Sequence, residues 1–330
     1  MKNVVYFLTL LLLFSCLKEE EPIQPFDRGG VQFGGIDINN NADYSKQIYY
    51  DMESNKVVKT VNRTSWDLGF ESSPTGINIV TNTSCKMEVS KTGETDFNNV
   101  TNLGTMTLNY DWDDASGNPD LLAFRDWIIT GIPTNEVFVV NRGEKPNLNS
   151  RGFKKIKIVS ANATEFVIEY ANINGTDYHT KTITKNTNKN FTSFSFEEGG
   201  VIVEVEPDKN DWDIVFTQYL ITYYDFVPQI NYSVNGILIN NKQCKGVKVF
   251  DKKFIDISIL DISNYTLTDS ANVIGFDWKF YDFVESTYAI VPGMNYIIQD
   301  TDGFYYKMRM IDFYSTSGIK GSPRFEFEKL

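Results

Sequence analysis

The sequence predicts a mainly β protein made of two antiparallel β-rich domains related by an internal repeat, with few short helices. Three observations carry that reading. Aromatic residues make up 14% of the chain, 18 of them Tyr and 24 Phe. Runs rich in Val, Ile, Thr and Tyr recur between clusters of Asn, Gly, Ser and Asp, the pattern of strands and turns. Stretches with apolar residues at helical spacing are nearly absent; the best, residues 119–130, is sized for about three turns with Pro119 near its first position. Finally, Asp211-Trp212-Asp213-Ile214-Val215-Phe216 has an earlier copy, Ser65-Trp66-Asp67-Leu68-Gly69-Phe70, with the two tryptophans offset by 146 positions.

Alternation with period two points Trp212, Ile214 and Phe216 to one face of a strand. The same offset lays Tyr50 on Phe196, Asp51 on Glu197 and Val57 on Val203. Each copy thus reads as an aromatic strand, a polar turn (53–55 or 198–200) and a valine strand leading into the Trp-Asp strand. Trp66, Asp67, Trp212 and Asp213 are the repeated structural motif. At 330 residues the chain can bury two cores, and the repeat places the domains at residues 30–182 and 183–330. Cys85 and Cys244 stand in similar settings, Asn82-Thr83-Ser84-Cys85-Lys86 and Asn241-Lys242-Gln243-Cys244-Lys245. Outside the cytoplasm they can pair as a disulfide or remain two buried thiols. No Cys-x-x-Cys occurs, which excludes a thiolate metal site.

Residues 1–15 have the form of a secretory signal peptide: Lys2, then an apolar run over 4–14 interrupted by Thr9, too short to span a bilayer. Leu13-Phe14-Ser15-Cys16 resembles a bacterial lipoprotein box, which makes Cys16 the lipidation site, acylated with chains such as palmitate. Residues 16–29 follow as a lipidated tether. Within it, Leu17-Lys18-Glu19-Glu20-Glu21 resembles the export signal that sends lipoproteins of Bacteroidetes to the outer leaflet of the outer membrane; a charged periplasmic linker is the other reading. With 31 basic and 43 acidic side chains the net charge is −12, which argues against nucleic acid as a partner.

Along the chain, strands are expected at 31–38, 47–52, 57–61, 78–81 and 86–90, and an antiparallel meander at 136–140, 153–159, 164–170 and 177–184. Asn174-Gly175 and Asp302-Gly303 mark hairpin turns. Residues 110–118 are rich in oxygen-bearing side chains. Ala115 breaks the calcium-loop register, however, and an Asx-type turn fits better. His179, the lone histidine, lies on a hairpin strand and reads first as structural, second as a cofactor ligand. The aromatic row at 217–225 reads as sheet core or as the lining of a ligand cleft.

The second half resembles the HmuY family of Bacteroidetes surface lipoproteins. The matching pieces are Phe194-Ser195-Phe196, Asp211-Trp212-Asp213-Ile214-Val215-Phe216-Thr217, Val234-Asn235-Gly236, Ile274-Gly275 with Trp278, residues 296–310, and Gly321-Ser322-Pro323-Arg324-Phe325-Glu326-Phe327. The first half looks like the amino-terminal part of the family's longer members. The resemblance implies a mostly-β fold and haem as cofactor, held by two axial side chains, His or Met, and passed to a TonB-dependent outer-membrane receptor. One family ligand falls near Tyr281; the other falls around 257–261, where neither His nor Met occurs. Tyr281 and His179 are thus candidate haem ligands, and Met294, Met308 and Met310 are substitutes that read first as core.

Two functions follow. One is an outer-membrane surface lipoprotein that binds haem or a related porphyrin for iron acquisition. The other is an accessory binding or assembly lipoprotein without haem, contacting a glycan or an outer-membrane partner. No motif brings acid, base and nucleophile together, so an enzyme is not expected.

Overall fold

The computed structural model describes residues 30–35 and 44–330. The signal peptide, Cys16 and the tether lie outside the described residues. The chain builds two β-sandwiches, mainly from antiparallel strands as the composition predicts. In the first, a four-stranded sheet in the order Val201–Val203, Phe191–Ser195, Leu68–Glu71, Ile79–Thr81 faces a six-stranded sheet. The latter runs His179–Thr184, Glu165–Ala171, Phe153–Ala161, Val137–Asn141, Glu88–Lys91, Tyr110–Asp111, and its first four strands are the expected meander. Leu68, Phe70, Phe194 and Phe196 pack there against Phe138, Ile156, Phe166 and Ile168.

The second sandwich repeats the plan. Ile230–Ile239, Ile214–Tyr223, Lys46–Asp51 and Lys56–Asn62 face a five-stranded sheet of Gln32–Gly35, Lys320–Lys329, Tyr305–Tyr314, Asn295–Gln299 and Lys245–Val249. Ile48, Tyr50, Ile214 and Phe216 meet Tyr296, Ile298, Met308 and Phe327 in its core. Each such side chain contributes about 1.5–3 kcal/mol on leaving water.

The sheets do not follow the sequential boundary at 182/183. The hairpin of the first copy, Lys46–Asp51 with Lys56–Asn62, pairs with the second Trp-Asp strand. The hairpin of the second copy, Phe191–Ser195 with Val201–Val203, pairs with the first. The two repeats have exchanged hairpins. Register also corrects the alignment: Leu68 faces Phe194 and Ile214 faces Tyr50, so Tyr50 corresponds to Phe194 rather than to Phe196. Met52 takes the place of Phe196, and hydrogen bonding confirms it. Asp67 N donates to Phe194 O and Asp213 N to Tyr50 O, while Phe196 N (2.9 Å) and Met52 N (2.7 Å) donate to the Oδ2 atoms of Asp67 and Asp213.

The motif aspartates are therefore staples across the exchange. Asp67, fully buried, also takes Arg142 in a two-pronged contact, Nε to Oδ1 and Nη2 to Oδ2, both at 3.0 Å. Arg151 Nη2 lies 2.9 Å from Oδ1. Among the described residues no cation pairs with Asp213; it accepts from Thr301 N at 3.1 Å and lies beside Asp300 and Asp51. Burial without an ion pair pushes its pKa up to about 7. Beneath each staple an asparagine closes the chain: Asn82 Nδ2 donates to Arg63 O and Trp66 O, Asn240 Nδ2 to Lys209 O and Trp212 O. The two tryptophans share one cluster with Tyr49, Val61, Val203, Val205 and Val215, which seals the sandwiches together.

One further expectation is corrected, and the cysteine pair takes one of its two stated readings. Residues 119–130 form no α-helix but the 3-10 turns Pro119–Leu121 and Arg125–Trp127, followed by strand Ile128–Ile129. Buried Asp113 takes Ala123 N at 2.8 Å, removing the donor a helix would use. Next to it Asp114 Oδ1 accepts Ser116 N, the expected Asx turn. Cys85 and Cys244 are free thiols, one in each sandwich core, so no disulfide joins them.

Candidate functional site

A groove of about 850 Å3 opens on the second sandwich. Its floor is strand Tyr305–Tyr314, where the ladder to the last strand slips between Met310 and Asp312. A bulge re-aims side chains, and here Arg309, Met310 and Ile311 in succession reach the groove. One wall is the 3-10 turn Phe254–Asp256 and its neighbour Lys253; the other is residues 290–295, which follow strand Thr287–Ile290. Asn295 Nδ2 ties the walls together by donating to Lys252 O at 2.9 Å. Phe254 is held under cations, with Arg309 Cζ at 4.8 Å and Lys307 Nζ at 4.9 Å from its ring centroid. Arg309 also pairs with Glu326 at the rim.

Two methionines line this groove. Met294 and Met310 are both nearly buried, and the Tyr296 hydroxyl donates to Met294 Sδ at 2.9 Å. Met308 faces the core opposite Phe327 and does not line the groove. Sequence reasoning groups the three as core, and all three do belong to one buried cluster; Met294 and Met310 border the groove as well.

The other candidates fall elsewhere. Tyr281, on strand Lys279–Asp282, packs against Phe283 and Tyr288 with centroids at 5.1 and 5.2 Å and is absent from the groove wall. His179 is in the first sandwich, stacked on Tyr170 at 5.2 Å, with Nε2 2.8 Å from Asp177 Oδ1. In the 257–261 stretch, Ile257 is core and Asp261 closes a capping box with Ser258 and pairs with Lys252. The neighbouring residues 253–255 supply the groove wall instead. Lys279 escaped the sequence reading. Its Nζ sits 4.1 Å from the Trp278 ring centroid and donates to Asn235 O at 2.7 Å, and desolvation holds its pKa down at about 7. Among the described residues no cluster of three or more His, Cys, Asp or Glu side chains is arranged to hold a metal ion. Nor is any helix there long and apolar enough to cross a membrane.

The sequence profile of the HmuY protein family matches residues 43–327. The chain belongs to the HmuY family. The matched span takes in the whole first sandwich and all of the second but strand Gln32–Gly35 and the last two residues of Lys320–Lys329, so the first is part of the HmuY unit as this chain builds it. Among solved structures, it is similar to apo PinO from Porphyromonas gingivitis at 9% identity, covering 91% of this chain and 97% of that one, TM-score 0.34. It is similar also to a putative HmuY-like heme binding protein from Bacteroides vulgatus at 13% identity, covering 90% of each, TM-score 0.22. The apo HmuY analog of Tannerella forsythia matches 46% of this chain and 84% of its own at 15% identity, TM-score 0.18. No curated protein matches the sequence.

Proposed function

We propose that this HmuY-family chain is an outer-membrane lipoprotein, anchored through Cys16, that carries haem or a related porphyrin in the groove of its second sandwich. One observation carries the reading. A groove of about 850 Å3, within the usual range for ligand sites, sets two soft thioether donors among apolar walls. The donor set fits haem, whose iron takes methionine as an axial ligand. Met294 and Met310 would hold the iron, Phe254, Ile290 and Val291 would cover the ring, and Lys253 and Arg309 at the rim suit its carboxylates. Haem supplies the iron to be carried; the chain binds it, excludes water from it and changes no bond. Delivery to a TonB-dependent receptor follows as the partner step, and iron acquisition as its use.

Hemin titration of the mature chain is the test. The expected result is a saturable Soret shift that Met294→Ala and Met310→Ala weaken while Tyr281→Ala and His179→Ala leave it intact. Absence of a Soret shift, or its loss in Tyr281→Ala alone, would overturn the assignment.

A further inference from the structure

A second cavity, of about 430 Å3, opens on the first sandwich and shares no residue with the groove. Its floor is the strand pair Phe153–Ala161 and Glu165–Ala171. Ile156, Ile158, Ile168 and Tyr170 fill the sandwich core, so alternation sends Lys155, Lys157 and Glu169 to the outer face. One wall is the 3-10 turn Phe97–Asn99; the other is the segment from Gly175 to Tyr178 that leads into strand His179–Thr184. The polar groups are fixed in place without being used up. Lys155, 1% exposed, donates to Phe97 O at 2.9 Å and Val100 O at 2.8 Å and so props the turn on the sheet. Register sets Lys157 directly opposite Glu169, yet the Lys157 ammonium donates to Thr95 O at 2.7 Å instead. Among the described residues the Glu169 carboxylate and the Asn98 amide have no partner. Asp96 takes Asn98 N on Oδ1 at 2.9 Å and leaves Oδ2 open. Beside them stands Tyr178, 51% exposed, its ring edge-on to Phe97 at 5.5 Å and its hydroxyl 3.4 Å from Thr180 Oγ1.

We propose that this cavity binds the pyranose ring of a neutral carbohydrate. A sugar ring offers a patch of C–H groups, which packs on an aromatic face, and a rim of hydroxyls, each of which both donates and accepts. Tyr178 supplies the face. Glu169 and the open oxygen of Asp96 accept, while Asn98 and Lys157 donate, so both halves of a hydroxyl rim are met. Charge selects the neutral class. The two lysines and two carboxylates that line the cavity balance, and a chain of net charge −12 repels acidic sugars and phosphates. Shape separates this ligand from the guest of the groove: a flat apolar molecule needs apolar walls on both faces, and this cavity sets one exposed ring among polar groups. Its volume lies within the usual range for small-molecule sites, and its floor is a sheet, which holds side chains more firmly than a loop does. The turn at Gly175, with φ 85°, keeps the rim free of a side chain. The site stands independently of the proposed function, since no step of it involves the groove or the anchor.

The test is saturation-transfer NMR on the mature chain with the methyl glycosides of glucose, galactose, mannose and N-acetylglucosamine, and with glucuronate as the charged control. Transfer to at least one neutral glycoside is expected, and Tyr178→Ala and Glu169→Ala should each raise its Kd about tenfold or more. Leu148→Ser, an exposed residue of the first sandwich outside the cavity, should change nothing. Unchanged thermal unfolding verifies that the variants are folded. Electrophoresis in gels cast with mannan, galactan or dextran separates the sources: retardation of the wild type but not of Tyr178→Ala assigns the ring to a polysaccharide, binding of the glycosides alone assigns it to a free sugar, and either supports the site. No transfer to any neutral glycoside, equal transfer in Tyr178→Ala, or tighter binding of glucuronate overturns the proposal.

Discussion

Substituting the two staple aspartates by asparagine should give different pH dependences, although the repeat makes them equivalents. Asp67→Asn removes the buried charge that faces Arg142 and Arg151, whose side chains are 7% and 3% exposed, and leaves Arg142 only the solvent-exposed Glu197. Taking the partner from a buried cation costs about 3–5 kcal/mol. Among the described residues no such cation faces Asp213, and burial has raised its pKa from 3.8 to about 7. A carboxyl group whose folded pKa lies above the unfolded value stabilises fully below that lower value, and the benefit is lost as pH rises through the folded one. Each pKa unit is worth about 1.4 kcal/mol, so the wild type loses about 3 kcal/mol from Asp213 between pH 5 and pH 8. An amide in its place does not titrate. The amide leaves one of the two backbone donors, Met52 N or Thr301 N, without an acceptor, which costs about 1–3 kcal/mol, so the Asp213→Asn protein should lie that far below wild type at pH 5 and recover about 3 kcal/mol on it by pH 8. Asp113 and Glu206, raised to about 6 and about 7 by desolvation, titrate in the same direction but cancel in this difference. Denaturant unfolding at both pH values measures it. A pH-independent effect of Asp213→Asn, or a harmless Asp67→Asn, would refute the account.

The exchange of hairpins and the state of the thiols make further predictions. Residues 30–182 and 183–330 expressed apart should each fail to give a cooperative unfolding transition, and mixing them should restore one. Each fragment lacks the hairpin that completes its four-stranded sheet; independent folding of either, seen by near-ultraviolet circular dichroism, would contradict this. Cys85 and Cys244 should ignore a thiol reagent in the native state and both react on unfolding, since burial raises both thiol pKa values. A non-reducing mass two protons short of the free-thiol value would contradict that.

Strand alternation and the Trp-Asp repeat were legible because both are local patterns. The exchange was not, for a physical reason. The true offset between hairpins, from Tyr50 to Phe194, differs by two from the offset between Trp-Asp strands. A slip of two leaves every side chain on its own face, so the false alignment kept the polar pattern intact and looked correct. Which copy of a strand a hairpin joins is a long-range choice that no local pattern records. The 119–130 stretch failed differently. Its apolar spacing is real, with Leu122, Phe124 and Trp127 all buried, but Asp113 and the carbonyl of Ile77, which takes Trp127 Nε1 at 2.9 Å, claim it for the core. The groove hid for a related reason: a bulge, a 3-10 turn and the segment after strand Thr287–Ile290 bring together residues that are far apart in sequence.

The exchange also fixes what the first half contributes to the groove. Met294 and Met310 sit in one cluster with Ile48, Tyr50 and Met52, all from the first copy's hairpin. Tyr50 meets Phe325 edge-on at 5.4 Å, and Phe325 is the register partner of Met310. Removing that hairpin would strip the packing from behind the strand that forms the groove floor. The converse also holds, because Phe194 and Phe196 from the second copy fill the first core. The amino-terminal sandwich is therefore no detachable accessory. A binding site on the second sandwich requires residues 46–62 in place, and disturbance of the first Trp-Asp staple should be felt at the groove through the tryptophan cluster that both sandwiches share.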